Sequence, residues 1–158
     1  MFREMRRFKQ EIHREECVKL LNNSVRGVLS LCGDDGYPYG VPINFWYSEK
    51  ENKIFFHGAK TGHKIDAIDR CDKASFCIYD EGYRKEGQWA LNIKSVIVFG
   101  RIKKVNDYAM VEKISRNLCS KFTEDSSYAD YELKHNGKTV QCLELDIEHM
   151  TGKLVEES

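Results

Sequence analysis

The sequence lacks several features that mark large classes of proteins. Its 25 Lys and Arg residues balance 25 Asp and Glu residues, whereas broad nonspecific binding to nucleic acid needs a surplus of positive charge. No run approaches the roughly 20 apolar residues of a membrane helix, and residues 1–10 lack the apolar centre of a signal peptide. We therefore expect a cytoplasmic protein with no membrane span and no nucleic-acid partner.

Motifs that carry specific chemistries are also missing. None of the six cysteines forms a C-x-x-C pair, and the five histidines form no H-E-x-x-H or similar cluster, so no metal site is predicted. The absence of G-x-S-x-G and G-x-G-x-x-G leaves a serine hydrolase and a dinucleotide site without support. Cys32, Cys77 and Cys142 lie inside apolar runs and are predicted to be small buried thiols.

Proline is scarce, and its two positions are informative. Only Pro38 and Pro42 occur, and no linker or repeat divides the chain, which predicts a single domain over residues 1–158. Hydrophobic residues make up 41% of the sequence, as expected for a packed globular core. Pro42 cannot donate to a β-ladder, so one side of its strand is expected to be unpaired.

Hydrophobic periodicity predicts six or so strands, mostly antiparallel, with helices inserted between them. The predicted strands cover residues 25–32, 37–47, 53–57, 73–80, 93–105 and 139–150. The predicted helices cover residues 9–23, 61–70 and 106 or 107–122, with residues 125–135 undecided. In the second helix we expect Thr61 to be the cap and Asp66 to pair with Arg70. This order fits a small β-barrel with helices, an α+β fold, and lacks the alternation of a Rossmann fold.

The most informative segment covers residues 55–64, where a strand ends, two glycines free the backbone and a helix begins. Helix N-termini bind phosphate well, and Lys60, His63 and Lys64 add positive or hydrogen-bonding groups. An ordinary strand-to-helix turn with solvated lysines has the same composition, so the residues alone leave phosphate binding open. From the residues alone, His57 is better interpreted as structural than as catalytic. Residues 39–45 are likewise better interpreted as a plain edge strand than as a ligand-binding strand.

In order, these segments resemble the pyridoxamine 5′-phosphate oxidase-like FMN-binding split barrels, nearest their nitroimidazole-resistance (Nim) subgroup. The matching segments span nearly the whole chain and cover residues 5–7, 36–45, 56–66, 95–100 and 151–153. The resemblance implies a homodimer with FMN at the subunit interface.

The resemblance also implies a role for each matching segment. Residues 41–44 would line the isoalloxazine ring, and residues 57–59 would follow the ribityl chain and phosphate. His63 and Lys64 take the place of a phosphate-gripping Arg-Lys pair, and Ser95 would reach the flavin from the other subunit. The implied cofactor-binding residues are Val41, Pro42, Ile43, Asn44, His57, Gly58, Ala59, His63, Lys64 and Ser95.

The resemblance implies an FMN-dependent oxidoreductase, for example one that reduces nitroaromatic compounds. The alternative is a flavin or haem binding or sensor protein without turnover, because relatives of this barrel bind haem or a deazaflavin. A third alternative is an interaction domain with a vestigial site. No residue is assigned a catalytic role. Two features of the sequence depart from the family pattern. In the first, His63 replaces a permanently charged arginine, so phosphate affinity is expected to weaken as pH rises. No Arg- and Trp-rich segment follows Lys153, so vitamin B6 oxidation is not expected.

Overall fold

A computed structural model describes residues 1–156 as one curled antiparallel sheet of eight strands with four α-helices. The strands are β1 (Glu11–Ile12), β2 (Arg26–Cys32), β3 (Pro38–Asn44), β4 (Trp46–Ser48), β5 (Lys53–Ala59), β6 (Lys73–Tyr79), β7 (Ile93–Val105) and β8 (Val140–Val155). The helices are α1 (Arg14–Asn23), α2 (His63–Arg70), α3 (Tyr108–Ser120) and α4 (Ser126–Asn136). Single 3₁₀ turns cover Phe8–Gln10 and Asp34–Gly36.

The strand order is β3-β2-β6-β7-β8-β5-β4, and β1 pairs with β8. The long strands β7 and β8 form the middle of the sheet and pair along most of their length. From Val96 to Lys103, β7 alternates strictly between buried and exposed side chains, because successive side chains in a strand point to opposite faces. The predicted bounds of this strand, residues 93–105, are confirmed.

Phe45 closes the sheet into a barrel. Strands β3 and β4 form opposite edges of the sheet, yet only this residue separates them. Because consecutive Cα atoms lie about 3.8 Å apart, the sheet must curl until its two edges meet here. The Phe45 side chain is fully buried, and its ring packs edge-on against Phe76 with centroids 4.8 Å apart. The prediction of one strand over residues 37–47 was therefore wrong, but the predicted split β-barrel is confirmed.

Both prolines lie in β3, which within residues 1–156 pairs with β2 alone. Pro38 is opposite Cys32 and Pro42 is opposite Val28, so the two prolines occupy equivalent positions four residues apart. A strand proline fits where its nitrogen does not face a hydrogen-bonded neighbour. The prediction that one side of this strand is unpaired is confirmed.

The first helix is shorter than predicted. Glu11 and Ile12 pair with Lys153 and Gly152 of β8, so α1 begins only at Arg14. The prediction of a helix from residue 9 was wrong because pairing with a distant strand outweighs the local periodicity of these residues.

The start and end of α2 also differ from the prediction. Its N-cap is Gly62, whose φ of 114° strains any residue with a side chain, and no side chain caps the helix. Thr61 is therefore not the cap. Arg70 forms its ion pair with Asp34 in the β2–β3 turn rather than with Asp66, because the tertiary partner holds the guanidinium away from its own helix.

The region left undecided by the sequence contains α4. Asp125 caps this helix by accepting a hydrogen bond from the Ser127 N–H at 2.9 Å. Only Ala129 is buried on α4, so the helix lacks the apolar stripe by which helices are predicted. By contrast, α3 has three buried residues at helical spacing and is capped by Asp107, as predicted.

The apolar core has two parts. The larger part fills the barrel, and the smaller part lies between α3 and strands β5 and β8. Cys142 belongs to the smaller core and is fully buried, as predicted, while Cys77 is half-buried. The prediction for Cys32 was wrong: it is exposed, because the alternation of β2 turns it to the outer face.

Within residues 1–156, no helix is both long enough and apolar enough to cross a bilayer.

Candidate functional site

A cleft forms where β5 ends and α2 begins. Between these elements the chain turns through Gly62, and the N–H groups of Ile65 and Asp66 donate to the Gly62 carbonyl. The N–H groups of His63 and Lys64, in the first turn, have no acceptor among residues 1–156. Free N–H groups and the positive end of the helix dipole make this point attractive to an anion.

Lys64 extends from this helix turn across the end of β5. Its Nζ lies 2.5 Å from the position that a Cβ on residue 58 would take, so a glycine at this position leaves the lysine room. The side chain is half-buried, and no carboxylate in the described part of the chain lies within 4.0 Å of its Nζ. Burial lowers the pKa of Lys64. A half-buried ammonium without a counter-ion is a ready partner for an anionic ligand.

His57, on β5, lies near Lys64 of α2. Its side chain reaches solvent but is surrounded by the walls of the cleft, and this desolvation lowers its pKa. The positive charge of Lys64 lowers the pKa further, while Glu132 of α4 opposes the shift. The imidazole is therefore held toward its neutral form, in which one ring nitrogen can accept a hydrogen bond from a ligand.

A cavity of about 630 Å³ opens between the end of β5 and the two helices α3 and α4, and Lys64 is not among the residues that line it. Four of the predicted cofactor-binding residues line it: Asn44, His57, Gly58 and Ala59. The helices contribute apolar and polar groups, among them Leu118, Phe122, Tyr128, Glu132 and Asn136. The cavity is large enough for a cofactor-sized ligand.

The predicted residues of β3 fall on two faces of the strand. Val41 and Ile43 pack into the barrel core, whereas Pro42 is exposed on the outer face. Asn44 accepts a hydrogen bond from the Arg26 Nε at 2.9 Å and reaches the cavity. A ligand beside this strand would therefore meet its backbone edge, Pro42 and Asn44.

His63 contacts the β2–β3 hairpin. Its ring stacks on Tyr39 with centroids 3.9 Å apart, and its Nε2 lies 3.6 Å from Asp34 Oδ2. In this arrangement the first turn of α2 is fastened to the hairpin through His63, and Lys64 is the cation directed along the end of β5.

Ser95 lies far from this cleft along the sheet. It pairs with Lys153 on β8, while the opposite end of the same ladder pairs Val105 with Cys142, beside the end of β5. Ten residues separate Ser95 from Val105, about 33 Å along a strand. One chain therefore brings the residues at the end of β5 together with Lys64 and Asn44. Ser95 stands on β7, three strands from the β3 edge that carries Asn44, and does not line the cavity.

The outer face of the sheet carries a patch of partly exposed apolar side chains, one of which, Phe99, is stacked against Phe2 with ring centroids 5.7 Å apart. Pro42, Val28, Cys77 and Ile97 stand in one row across four strands, and Phe99 follows in the next row. Ile97 and Phe99 are each 40% exposed. We call these five residues the outer apolar patch.

The sequence reasoning missed the contribution of α4. Tyr128 and Glu132 line the cavity, but the helix that carries them has no apolar periodicity. The signal that could have found it is Asp125 followed by two serines, a good helix start.

The chain is similar to known proteins both in its sequence profile and in its fold. A family profile described as pyridoxamine 5′-phosphate oxidase matches residues 13–154. No curated protein matches the sequence. Similar solved structures include a candidate 5-nitroimidazole antibiotic resistance protein from Bacteroides thetaiotaomicron, with 16% identity, a TM-score of 0.77 and coverage of 92% of this chain and 87% of that chain.

Two further structures are of proteins named for their cofactors. A FAD-binding protein from Mesorhizobium loti is 22% identical, with a TM-score of 0.69 and coverage of 92% of this chain and 97% of that chain. A FAD and haem binding protein from Mycobacterium smegmatis is 17% identical, with a TM-score of 0.67 and coverage of 94% and 74%. At these identities the likeness shows the fold.

Proposed function

The chain belongs to the pyridoxamine 5′-phosphate oxidase family, and from this premise we propose that it is an FMN-dependent oxidoreductase. The flavin would bind in the cleft between β5, α2 and the two helices α3 and α4. When bound, FMN supplies electron transfer, and the protein holds and orients it. The existence of structural neighbours named for flavin binding supports a flavin as the ligand.

Lys64 is the observation that carries this proposal. It is half-buried, it lacks a carboxylate partner among residues 1–156, and it lies beside two free N–H groups at the start of α2. A phosphate placed there would meet a charge, a helix dipole and two donors at once. The terminal phosphate of FMN matches this single cationic position, and Gly58 leaves the lysine room to reach it.

The cofactor itself is the first test. Freshly purified protein should show the absorbance bands of an oxidised flavin, and the ligand released by denaturation should have the mass of FMN. Release of FAD or a deazaflavin would contradict FMN, and a Soret band with tight haem uptake would favour the alternative of a haem-binding protein. If the protein is purified empty, titration with FMN should quench the flavin fluorescence.

We also propose that the chain is a homodimer whose flavin site is shared between two copies. The outer apolar patch supports this, since exposed contiguous apolar surface often marks an interface. The position of Ser95 supports it as well: the residue does not line the cavity of its own chain, and a second copy could bring it to the flavin.

Light scattering tests the dimer directly. The wild type should have the mass of two chains, and Ile97→Glu should yield a monomer, because a charge would be buried within the patch. Tyr108→Glu is the matched control, since Tyr108 is another exposed apolar residue, at the start of α3 and outside the patch. A wild-type monomer that still binds flavin would contradict the shared site.

Turnover separates an enzyme from a carrier. With a nicotinamide donor and a nitroaromatic acceptor, the flavin-loaded protein should be reduced and then reoxidised repeatedly. A flavin that binds tightly but is reduced by no donor would favour a sensor or carrier without turnover.

A further inference from the structure

Two cysteines that are 39 residues apart in the sequence meet on the surface. The Cys32 Sγ lies 3.2 Å from the Cys71 Sγ. Cys32 ends β2 and is exposed, and Cys71, which follows the last turn of α2, is half-buried. Such a pair escapes any search for a C-x-x-C spacing, since the fold and not the sequence brings the thiols together.

The surroundings distinguish the two thiols. A hydrogen bond from the backbone of Lys73, followed by the one from the Cys32 thiol, lowers the pKa of Cys71. Its partner responds in the opposite direction, since the hydrogen bond to Cys71 raises the pKa of Cys32. Cys71 is therefore the thiol that more readily becomes the thiolate, the nucleophilic form of a cysteine, and Cys32 donates the hydrogen bond beside it.

The elements that carry these cysteines are already docked on each other. Arg70, next to Cys71, contacts Asp34 and donates a hydrogen bond to the Cys32 carbonyl at 3.4 Å. At the other end of α2, His63 contacts the same hairpin through Tyr39 and Asp34. A covalent bond between the sulfurs would form across a contact that is already in place, so little of the backbone must move.

We propose that Cys32 and Cys71 form a peroxide-sensitive dithiol site that closes a reversible disulfide between α2 and the β2–β3 hairpin. The Cys71 thiolate attacks one oxygen of hydrogen peroxide, and hydroxide leaves to form water on taking up a proton. The Cys32 sulfur, after losing its proton, then attacks the sulfenic acid sulfur of Cys71 and displaces a second hydroxide. In total, two thiols lose two protons and two electrons, and one peroxide becomes two molecules of water.

The bond should stabilise the fold, because it links two points 39 residues apart and so restricts the unfolded chain. We expect oxidation to raise the melting temperature by about 5–10 °C. A thiol reductant should reverse the shift. This inference does not depend on flavin binding, because it concerns thiols outside the proposed cofactor cleft.

The experiment counts and maps the thiols. Protein treated with hydrogen peroxide, then denatured and alkylated, should lose two of its six thiols and yield one tryptic species that joins the peptides of Cys32 and Cys71. Dithiothreitol should restore both thiols. Cys32→Ser and Cys71→Ser should each abolish the joined species, whereas Cys77→Ser should retain it, since Cys77 lies on the neighbouring strand β6 outside the pair.

Three results would overturn the proposal. The first is six reactive thiols after peroxide treatment. The second is further oxidation of Cys71 to a sulfinic or sulfonic acid with no joined peptide. The third is a disulfide between two copies of the chain, visible as a dimer band on a non-reducing gel.

Discussion

Two lysines in different parts of this molecule are buried to a similar extent but differ in their hydrogen-bond partners. Lys64 lies in the cleft at the start of α2, and Lys121 lies just after α3 at the seam where Phe45 closes the barrel. Both are half-buried, neither has a carboxylate within 4.0 Å in the described part of the chain, and desolvation lowers the pKa of each.

The described part of the chain supplies hydrogen-bond acceptors to the ammonium group of one lysine and not to that of the other. Lys121 donates hydrogen bonds to the carbonyls of Ser24 and Phe45, the latter at 3.2 Å, and its Nζ lies 4.3 Å from the centre of the Phe45 ring. Lys64 has no such acceptor among residues 1–156. A buried cation whose hydrogen bonds are made within the protein has a structural role, whereas one without hydrogen-bond partners points to a ligand.

The largest effect should come from Lys64. Replacing it with Ala should weaken FMN binding by roughly 10- to 150-fold, because hydrogen bonds to charged groups are worth about 1.5–3 kcal/mol. Riboflavin lacks the phosphate, so its affinity should barely change. Fluorescence titration of both ligands measures the difference.

Lys60→Ala is the matched control for this experiment. Lys60 is an exposed lysine in the same loop, so loss of general positive charge would affect both variants equally. Equal losses for FMN and riboflavin in Lys64→Ala would indicate a distorted pocket and count against the phosphate contact.

The next effect concerns the stability of the barrel seam. Lys121→Met keeps the length of the side chain but leaves the two carbonyls without their donor, which should lower the free energy of unfolding by about 2 kcal/mol. Flavin affinity should change much less than in Lys64→Ala. Denaturant unfolding measures the first quantity. If Lys121→Met unfolded like the wild type while Lys64→Ala were clearly destabilised, the contrast between the two lysines would be reversed.

The last effect is a pH dependence from the same residue. The pKa of Lys121 is lowered to about 8, from an ordinary value of 10.5. Between these values the folded protein has released a proton that the unfolded chain still holds, so stability rises with pH in this window. The wild type should therefore gain stability relative to Lys121→Met from pH 8 to pH 10.5, as measured by denaturant unfolding at each pH. A falling difference would show that the two carbonyls favour the charged amine more than burial opposes it.

Local pattern predicted the strands well and their arrangement less well. The bounds of β7 were predicted from a local run rich in β-branched residues, and the strict alternation of burial from Val96 to Lys103 appears only in the structure. Phe45 could not be recognised as the residue between β3 and β4, because in the sequence it continues into the aromatic residues Trp46 and Tyr47. The break between the two strands is visible only in the closed barrel. The pairing of Glu11 and Ile12 with β8 depends on residues more than 130 positions away.

The same division holds for the candidate site. The segment around Gly58 and Lys64 was predicted because a strand end, glycines and a helix start are local signals. Lys121 and Glu132 were not, since one follows a helix as an ordinary charged residue and the other lies on a helix without an apolar stripe. Whether a lysine has a partner is decided by what the fold brings to it.

The two prolines of β3 also bear on how molecules of this protein behave toward one another. An edge strand with free N–H and C=O groups can recruit a strand from another chain and begin cross-β aggregation. Pro38 and Pro42 remove two donors from one edge of this sheet, and the other edge, β4, is only three residues long. Neither edge therefore offers a template of useful length for polymerisation through the sheet edges.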